Sequence, residues 1–205
     1  MFCDIVVPDR NEKEFIEIAQ KLGYTHLIFA YQFNKKGYPK TKDSKIKIIT
    51  AAIVETKNIN KARIEKEIVI AQAGEQNRPV FESRYIDIIY GLECVSKKDF
   101  IHHKASGMNQ VLGKFAQKNK IAIAFSFSML LKSKGIKRTA IMARISQNIR
   151  ICRKYNLHMI TASFAKDPYA MRAPRDMMAL MQDLGMTGSE AKSSMQQPKS
   201  KEKFI

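Results

Sequence analysis

Short, continuously apolar runs alternate with amphipathic stretches along most of the chain. The runs rich in β-branched or aromatic residues predict seven strands, at residues 3–7, 26–31, 46–55, 67–71, 86–90, 121–125 and 158–162. Apolar positions at helical spacing predict helices at residues 12–22, 78–84, 106–118, 139–155, 174–184 and 189–195. Uninterrupted apolar strands are typical of a sheet covered on both faces, and the strand–helix order favours an α/β domain with a parallel sheet.

Two architectures accommodate these elements, an open doubly wound sheet and a compact β/α barrel, although a barrel typically needs about 250 residues and at least about 200. The hydrophobic pattern leaves both open. No glycine-rich loop of the G-x-G-x-x-G or Walker type follows a predicted strand, which weakens the nucleotide-binding alternative. We expect one domain over residues 1–195 and a disordered basic tail over residues 196–205.

The composition adds a strong charge asymmetry. The 205 residues are 45% hydrophobic, which argues against disorder throughout, and 36 Lys and Arg against 19 Asp and Glu give a net charge of +17. Residues 1–95 carry 15 basic and 13 acidic side chains, whereas residues 96–205 carry 21 and 6. A cationic surface confined to one half of the chain predicts a polyanion partner, either nucleic acid or an anionic membrane.

Three features argue against a membrane and favour a cytoplasmic location. The longest strongly apolar stretch, residues 121–131, has eleven residues and is too short to span a bilayer. The first residues contain no basic segment and reach Asp4 at once, so we expect no secretory signal. Cys3, Cys94 and Cys152 are far apart and odd in number, which favours reduced thiols over disulfides or a zinc site.

No set of residues predicts a catalytic or metal site. His26 and His158 begin strands and are expected to be structural. His102 and His103 are adjacent, so their imidazoles cannot easily chelate one ion. The cysteines lie at apolar strand or helix positions, where a small buried hydrophobe is expected, and no carboxylates are paired by their spacing. We therefore expect no catalytic residue and no metal ligand.

The predicted helix at residues 139–155 combines a core stripe with a group of cations. The stripe consists of Ile141, Ile145, Ile149 and Cys152. The cations outside it are Arg144, Arg150, Arg153 and Lys154. We expect these cations to face solvent or a partner, because residues 126–166 contain no acid whereas a solvated face normally mixes signs, and arginine can bind phosphate bidentately. The lysine-rich stretch at residues 34–45 fits either a solvated loop or a phosphate-contacting arm.

The order of motifs in the second half resembles that of a known family. Residues 103–112, HKASGMNQVL, resemble an H-R-x-S-G-[LM]-N motif. The apolar run, the arginine-bearing helix, TASFA at residues 161–165, MRAPRD at residues 171–176 and LGM at residues 184–186 follow in the same order. With the opening strand and its Asp4, the combination is similar to the family of protein component 3 of archaeal ribonuclease P, homologues of the eukaryotic 30-kDa subunit.

The resemblance implies a compact, TIM-like β/α barrel with about seven parallel strands, related to the polymerase-and-histidinol-phosphatase superfamily. That superfamily binds metals at the barrel mouth, beginning with H-x-H on the first strand, where this sequence has no histidine. The family implies a protein cofactor: ribonuclease P RNA cleaves precursor tRNA with Mg²⁺, while component 3 pairs with component 2 beside the other ribonuclease P proteins. Lys104 departs from the family, which commonly has arginine there.

We therefore predict an RNA-binding subunit of ribonuclease P that binds no cofactor of its own. The candidate RNA contacts are Lys104, Lys120, Arg138, Arg144, Arg150, Arg172 and Arg175. The structural alternatives are a salt bridge to helix acids for Arg175 and a backbone contact at a helix N-terminus for Arg172. Ser106 is expected to cap the helix that it precedes. Two other functions stay open. One is a metal-dependent phosphoesterase of the same superfamily, and the other is a scaffold that binds another protein through methionines near the C-terminal helix, including Met171, Met177, Met178 and Met181.

Overall fold

Seven parallel strands form one sheet in which each strand pairs with its neighbours along the chain. The computed structural model of the protein describes residues 1–33, 45–55, 59 and 68–198. The strands are β1 (Cys3–Val6), β2 (His26–Gln32), β3 (Lys47–Val54), β4 (Ile68–Gln72), β5 (Ile88–Tyr90), β6 (Ala122–Ser126) and β7 (Met159–Ala162). Each of the seven predicted strands is confirmed, with bounds that shift by at most two residues.

The first and last strands close the sheet into a barrel. Val6 and Ala165 form a parallel bridge. The backbone N–H of Phe164 donates to the carbonyl of Ile5 at 2.7 Å, and that of Val7 donates to the carbonyl of Ala165 at 2.8 Å. A closed parallel sheet surrounded by helices is a β/α barrel, so the compact barrel is confirmed and the open doubly wound sheet is wrong.

Seven α-helices in the described residues cover the outside of the barrel. They are α1 (Glu12–Leu22), α2 (Arg78–Glu82), α3 (Gln110–Lys118), α4 (Phe127–Lys132), α5 (Gly135–Lys154), α6 (Pro174–Asp183) and α7 (Gly188–Ser194). The helix α5 begins four residues before its predicted start, because its first turn is exposed and so lacks apolar periodicity. The helix α3 begins four residues after its predicted start, because Asn109 is still in an extended conformation.

Aliphatic side chains fill the inside of the barrel. Successive side chains of a strand point to opposite faces, so alternate residues of each strand point inward. The strand members of this buried cluster are Cys3, Ile5, Ile28, Ala30, Ala51, Ile53, Ile68, Ile70, Ile88, Tyr90, Ala122, Ala124, Ile160 and Ala162. At the mouth where the strands end, the ring of Tyr90 stacks on that of Phe164, with centroids 4.3 Å apart and planes 11° from parallel. The barrel interior is therefore a packed core, and an aromatic pair occupies its mouth.

A second apolar layer lies between the outer face of the sheet and the helices. The predicted stripe of α5 is buried as expected. Met171, Met177 and Met181 are also buried, so these methionines belong to the core and do not form an adaptable surface. No helix in the described ranges has both the length and the apolar character that crossing a membrane requires.

Two sequence predictions lie outside the described residues. The lysine-rich loop falls there except for Lys45, and so does the tail beyond residue 198. Within the barrel, the segment that matters most for the site is the connection between β5 and α3. It spans residues 91–109 and is called the β5–α3 loop below.

Candidate nucleic-acid interface

Arg144, predicted to face solvent or a partner, is buried, with only 4% of its side chain exposed. Its Nε donates to Oδ1 of Asp99 at 2.7 Å, and its Nη1 donates to the carbonyls of Glu93 at 3.0 Å and Ser96 at 2.6 Å. All of these acceptors belong to the β5–α3 loop. The prediction of an outward-facing Arg144 is therefore wrong: the side chain ties α5 to this loop, and a phosphate could bind it only if the loop were released.

Asp99 is the anionic centre of this connection. Besides Arg144, the backbone N–H of Ala105 donates to its Oδ1 at 2.9 Å, and Nζ of Lys104 lies 3.4 Å from its Oδ2. Burial alone would raise the pKa of Asp99, but the hydrogen bonds from the Ala105 amide and the Arg144 guanidinium outweigh burial and lower it. The ionised carboxylate thus joins both ends of the segment 99–105 to α5. Lys104, a predicted RNA contact, keeps half of its side chain exposed.

The S-G-M-N part of the sequence motif is also held by α5. Nδ2 of Asn148 donates to the backbone carbonyl of Ser106 at 2.9 Å, and Nε2 of Gln147 donates to the hydroxyl of Ser106 at 3.1 Å. The predicted cap by Ser106 is wrong, because α3 starts later and Asn109 caps it. The Oδ1 of Asn109 accepts from the backbone N–H of Leu112 at 2.9 Å, which satisfies an otherwise unpaired donor of the first turn.

Gly107 lets the two halves of the β5–α3 loop pack backbone against backbone. Its φ is +77°, and a Cβ atom there would lie 2.3 Å from the carbonyl oxygen of Leu92. A side chain would therefore be strained by both the backbone conformation and the contact. The serine of the motif is thus explained by its bonds to α5, the glycine by its close approach to Leu92 and the asparagine by its cap on α3.

Three of the predicted RNA contacts are exposed, and no ion pair holds them within the described ranges: Lys120, Arg150 and Arg175. Lys120 follows α3, Arg150 lies on α5, and Arg175 lies in the first turn of α6. The salt bridge to helix acids considered for Arg175 does not form in the described part of the chain. These three cations keep their charge available to an external anion.

Arg138 and Arg172 are engaged with nearby backbone. Nε of Arg138 donates to the carbonyl of Ser133, just after α4, at 2.7 Å, although the residue is exposed. Nη1 of Arg172 donates to the carbonyl of Met171 at 2.7 Å, and its guanidinium carbon lies 5.8 Å from the centroid of the Phe127 ring. The backbone contact considered for Arg172 is therefore confirmed.

The arginines of α5 point in three directions. Arg138, Arg144 and Arg150 are six residues apart, and six residues rotate an α-helix by about 240° beyond a full turn. Arg144 is buried while Arg138 and Arg150 are exposed, as this rotation requires. The three guanidinium groups cannot form one row along a phosphate backbone, so a phosphate-binding surface has to combine residues from different elements.

The buried carboxylates serve the barrel and the loop. Oδ1 of Asp4 accepts from the backbone N–H groups of Ser163 at 2.6 Å and Ile5 at 2.8 Å, which links β1 to the segment after β7. Burial raises the pKa of Asp4 to about 6 against the lowering effect of these hydrogen bonds, and it raises the pKa of Glu93 to about 7. Among the described residues, no three His, Cys, Asp or Glu side chains come together in a way that could hold a metal ion.

Sequence reasoning missed Asp99 and Asn148. A signal for the inner face of α5 was present, because Arg144 and Asn148 follow Ile141 and Ile145 by three residues, and residues three apart share a helix face. No signal marks Asp99 in its loop, since its arginine partner is 45 residues away along the chain.

Comparison with known proteins agrees with the sequence motifs and the barrel. The model of the family described as RNase P subunit p30 matches residues 1–201. Ribonuclease P protein component 3 of Methanosarcina barkeri is 26% identical over 204 residues, covering 93% of this chain and 82% of that protein.

A chain in a cryo-EM structure of archaeal ribonuclease P with mature tRNA has a TM-score of 0.80 at 20% identity, covering 94% of this chain and 86% of that chain. A zinc-bound cog1816 amidohydrolase from Burkhoderia ambifaria shares the fold at a TM-score of 0.50 and 12% identity, over 91% of this chain and 67% of its own. Because the family model spans nearly the whole sequence, the chain belongs to the RNase P subunit p30 family.

Proposed function

We propose that this ribonuclease P subunit is a non-catalytic protein whose exposed cations bind the phosphates of ribonuclease P RNA. In this proposal the RNA removes the 5′ leader of precursor tRNA using Mg²⁺, and the protein holds the RNA in its active shape. The protein itself supplies neither a catalytic residue nor a cofactor.

The observation that carries the proposal is the set of exposed cations without an acidic partner in the described structure. Lys120 lies just after α3, Arg150 on α5 and Arg175 on α6, all in the second half, which holds nearly all of the excess charge. Each phosphate that such a cation neutralises releases counterions from the RNA, so binding is favourable and weakens as salt rises. Lys104 and Arg138 extend this set, because both are exposed while also bonded to the protein.

The partners follow from the same role. Ribonuclease P RNA is the direct partner, and precursor tRNA interacts with the chain only indirectly, through that RNA. Protein component 2 and the other ribonuclease P proteins complete the particle. The name of the Methanosarcina relative and the archaeal assembly in the cryo-EM structure support this set of partners. A cytoplasmic location suits a tRNA-processing particle and three cysteines that are all unpaired.

Reconstituted cleavage tests the proposal. Ribonuclease P RNA and its protein components are assembled with the wild-type chain, with a Lys120→Ala, Arg150→Ala, Arg175→Ala variant, or without the chain, and 5′ leader removal is followed over a Mg²⁺ titration. The matched control carries Lys13→Ala, Lys21→Ala and Arg84→Ala, which removes the same charge from exposed positions of the first half. We expect the second-half variant to need more Mg²⁺ for the same rate and the control to behave as the wild type.

Two results would contradict the proposal, and a third would contradict its choice of contact residues. Cleavage that is the same with and without the chain would show that the protein does not support the RNA. Cleavage by the assembled proteins when the RNA is omitted would place catalysis in the protein. Equal loss in the two triple variants would retain a general role of charge and reject these three residues as the contacts.

A further inference from the structure

The β5–α3 loop presents an exposed aromatic and aliphatic tip at residues 100–103. Phe100 is 63% exposed and Ile101 is 95% exposed, so two adjacent large apolar side chains of the loop face the solvent. The Phe100 ring stacks on the His103 ring, with centroids 4.6 Å apart and planes 25° from parallel. The tip therefore presents stacked, flat rings to the solvent.

Contacts beneath the tip anchor both ends of its turn. The backbone N–H of Phe100 donates to the carbonyl of His103 at 3.1 Å, which closes the turn. Asp99, just before the turn, accepts from Arg144 and from the backbone N–H of Ala105, just after it. Both ends of the turn are thus anchored to α5, so a ligand that binds the tip orders little additional chain and loses little affinity to conformational entropy.

The charges around the tip are positive. Lys97, Lys98 and Lys104 flank the turn and are exposed. The acid of this segment, Asp99, is paired with Arg144 and Lys104, and only 20% of its side chain is exposed. A protein-binding anchor is expected to have few charges around its apolar centre, whereas single-stranded nucleic acid is bound by aromatic rings for its bases and by cations for its phosphates.

We propose that the tip of the β5–α3 loop binds an unpaired nucleobase of RNA, which stacks on Phe100 while the flanking lysines contact the adjacent phosphates. This inference rests on the proposed function and adds a contact with a base to the contacts with phosphates. A stacked base has to be unpaired, since bases inside a duplex already stack on their neighbours. The loop therefore distinguishes single-stranded from double-stranded RNA.

The test uses the full chain and a single-stranded RNA of about twelve nucleotides that carries one central 2-aminopurine, whose fluorescence is quenched by stacking. The same strand in a blunt duplex is the paired control. We expect the wild-type chain to quench the single strand, and Phe100→Leu to abolish the quenching and weaken binding by about five- to 150-fold, the range that loss of one base–aromatic stack spans. We expect Phe100→Tyr to restore both, and duplex binding to be the same in all three proteins.

The matched control is Tyr85→Leu, the same type of change at an exposed aromatic residue that precedes β5 and so lies near the opposite end of the barrel. Circular dichroism and thermal unfolding confirm that each variant is folded. Absent quenching by the wild-type chain, or quenching that Phe100→Leu leaves intact, would overturn the inference. An unchanged RNA affinity with a loss of binding to protein component 2 would also overturn it and assign the tip to a protein partner. None of these outcomes decides the proposed function, which the cleavage reconstitution measures separately.

Discussion

The two sides of α5 use the same residue type in opposite ways. Toward the β5–α3 loop, Arg144 is buried and its guanidinium is bonded to one carboxylate and two carbonyls. On the other side, Arg150 is exposed and makes no ion pair within the described structure. A basic helix therefore contains both a structural connector and a candidate RNA contact, and what separates the two is their angle from the Ile141–Cys152 stripe, not their charge.

Replacing each arginine by methionine tests this difference most directly. Arg144→Met removes the guanidinium from Asp99, which keeps the Ala105 amide and Lys104, and from the carbonyls of Glu93 and Ser96. We expect it to lower the free energy of unfolding by about 3–5 kcal/mol, as loss of one partner from a buried ion pair does. Arg150→Met removes an exposed side chain and should change it by less than about 0.5 kcal/mol. Urea unfolding followed by circular dichroism measures both. Equal losses would contradict the assignment of two different sides.

The close approach of Gly107 to the backbone of Leu92 predicts a second loss of stability on substitution. Gly107→Ala places a Cβ atom 2.3 Å from the Leu92 carbonyl oxygen at a φ of +77°, whereas Gly23→Ala meets nothing within 4 Å at a φ of +82°. Both changes place an alanine in a left-handed backbone conformation, which lowers the free energy of unfolding by about 1–2 kcal/mol. We expect Gly107→Ala to be less stable than Gly23→Ala by a further 1–3 kcal/mol or so, as overpacking costs. Similar melting temperatures would mean that the loop can move away from the added methyl group.

Glu93, in the β5–α3 loop, should make the stability of the protein depend on pH. Its pKa is raised from 4.5 to about 7 by burial, so the unfolded chain releases this proton at lower pH than the folded one. The contribution of Glu93 to the free energy of unfolding should therefore fall as pH rises from about 4.5 to about 7 and level off above that range. Glu93→Gln removes this contribution, and we expect it to be more stable than the wild type by about 3 kcal/mol at pH 8 and by little at pH 4. Urea midpoints across this range measure the difference, with Glu75→Gln as an exposed control. A constant difference would reject burial of the charge as its cause.

Substitution of Arg150, on the exposed side of α5, should change the affinity for RNA and leave the free energy of unfolding nearly unchanged. If Arg150 contacts a phosphate, Arg150→Ala makes the slope of log affinity for ribonuclease P RNA against log salt shallower by about 0.7–0.9. Lys13→Ala, which removes an exposed charge from α1, should leave the slope nearly unchanged. Filter binding at four salt concentrations is sufficient to separate the two. Identical slopes for both variants would remove Arg150 from the interface.

The strands were predictable because a strand inside a barrel is apolar on both faces, and a continuous apolar run is visible in the sequence. Closure was not, since it depends on hydrogen bonds between Phe164 and Ile5, at opposite ends of the sheet order. The motif resemblance supplied what the hydrophobic pattern could not decide between the open sheet and the barrel.

The candidate site was predictable only in part. Arg150 and Arg175 are exposed as the amphipathic pattern requires, because each lies away from its helix's buried side. Arg144 was misread because a polar residue bordering an apolar stripe can be satisfied by a distant loop, and the pattern along one helix contains no information about that loop. Asn109 was missed as the cap because serine in the same segment was an equally good candidate by residue type.

The hydrogen bonds between β1 and the segment after β7 have a consequence for how the protein folds as it is synthesised. The amide of Ser163 and the carboxylate of Asp4 are 159 residues apart, so this contact can form only when most of the chain has left the ribosome. Until then, β1 offers an unpaired edge of a strand whose residues are all apolar or buried in the finished barrel. Contacts of such long range form slowly, and exposed strand edges favour aggregation. The amount of usable protein in a cell should therefore depend on how quickly the last strand follows the first, and not only on the stability of the completed barrel.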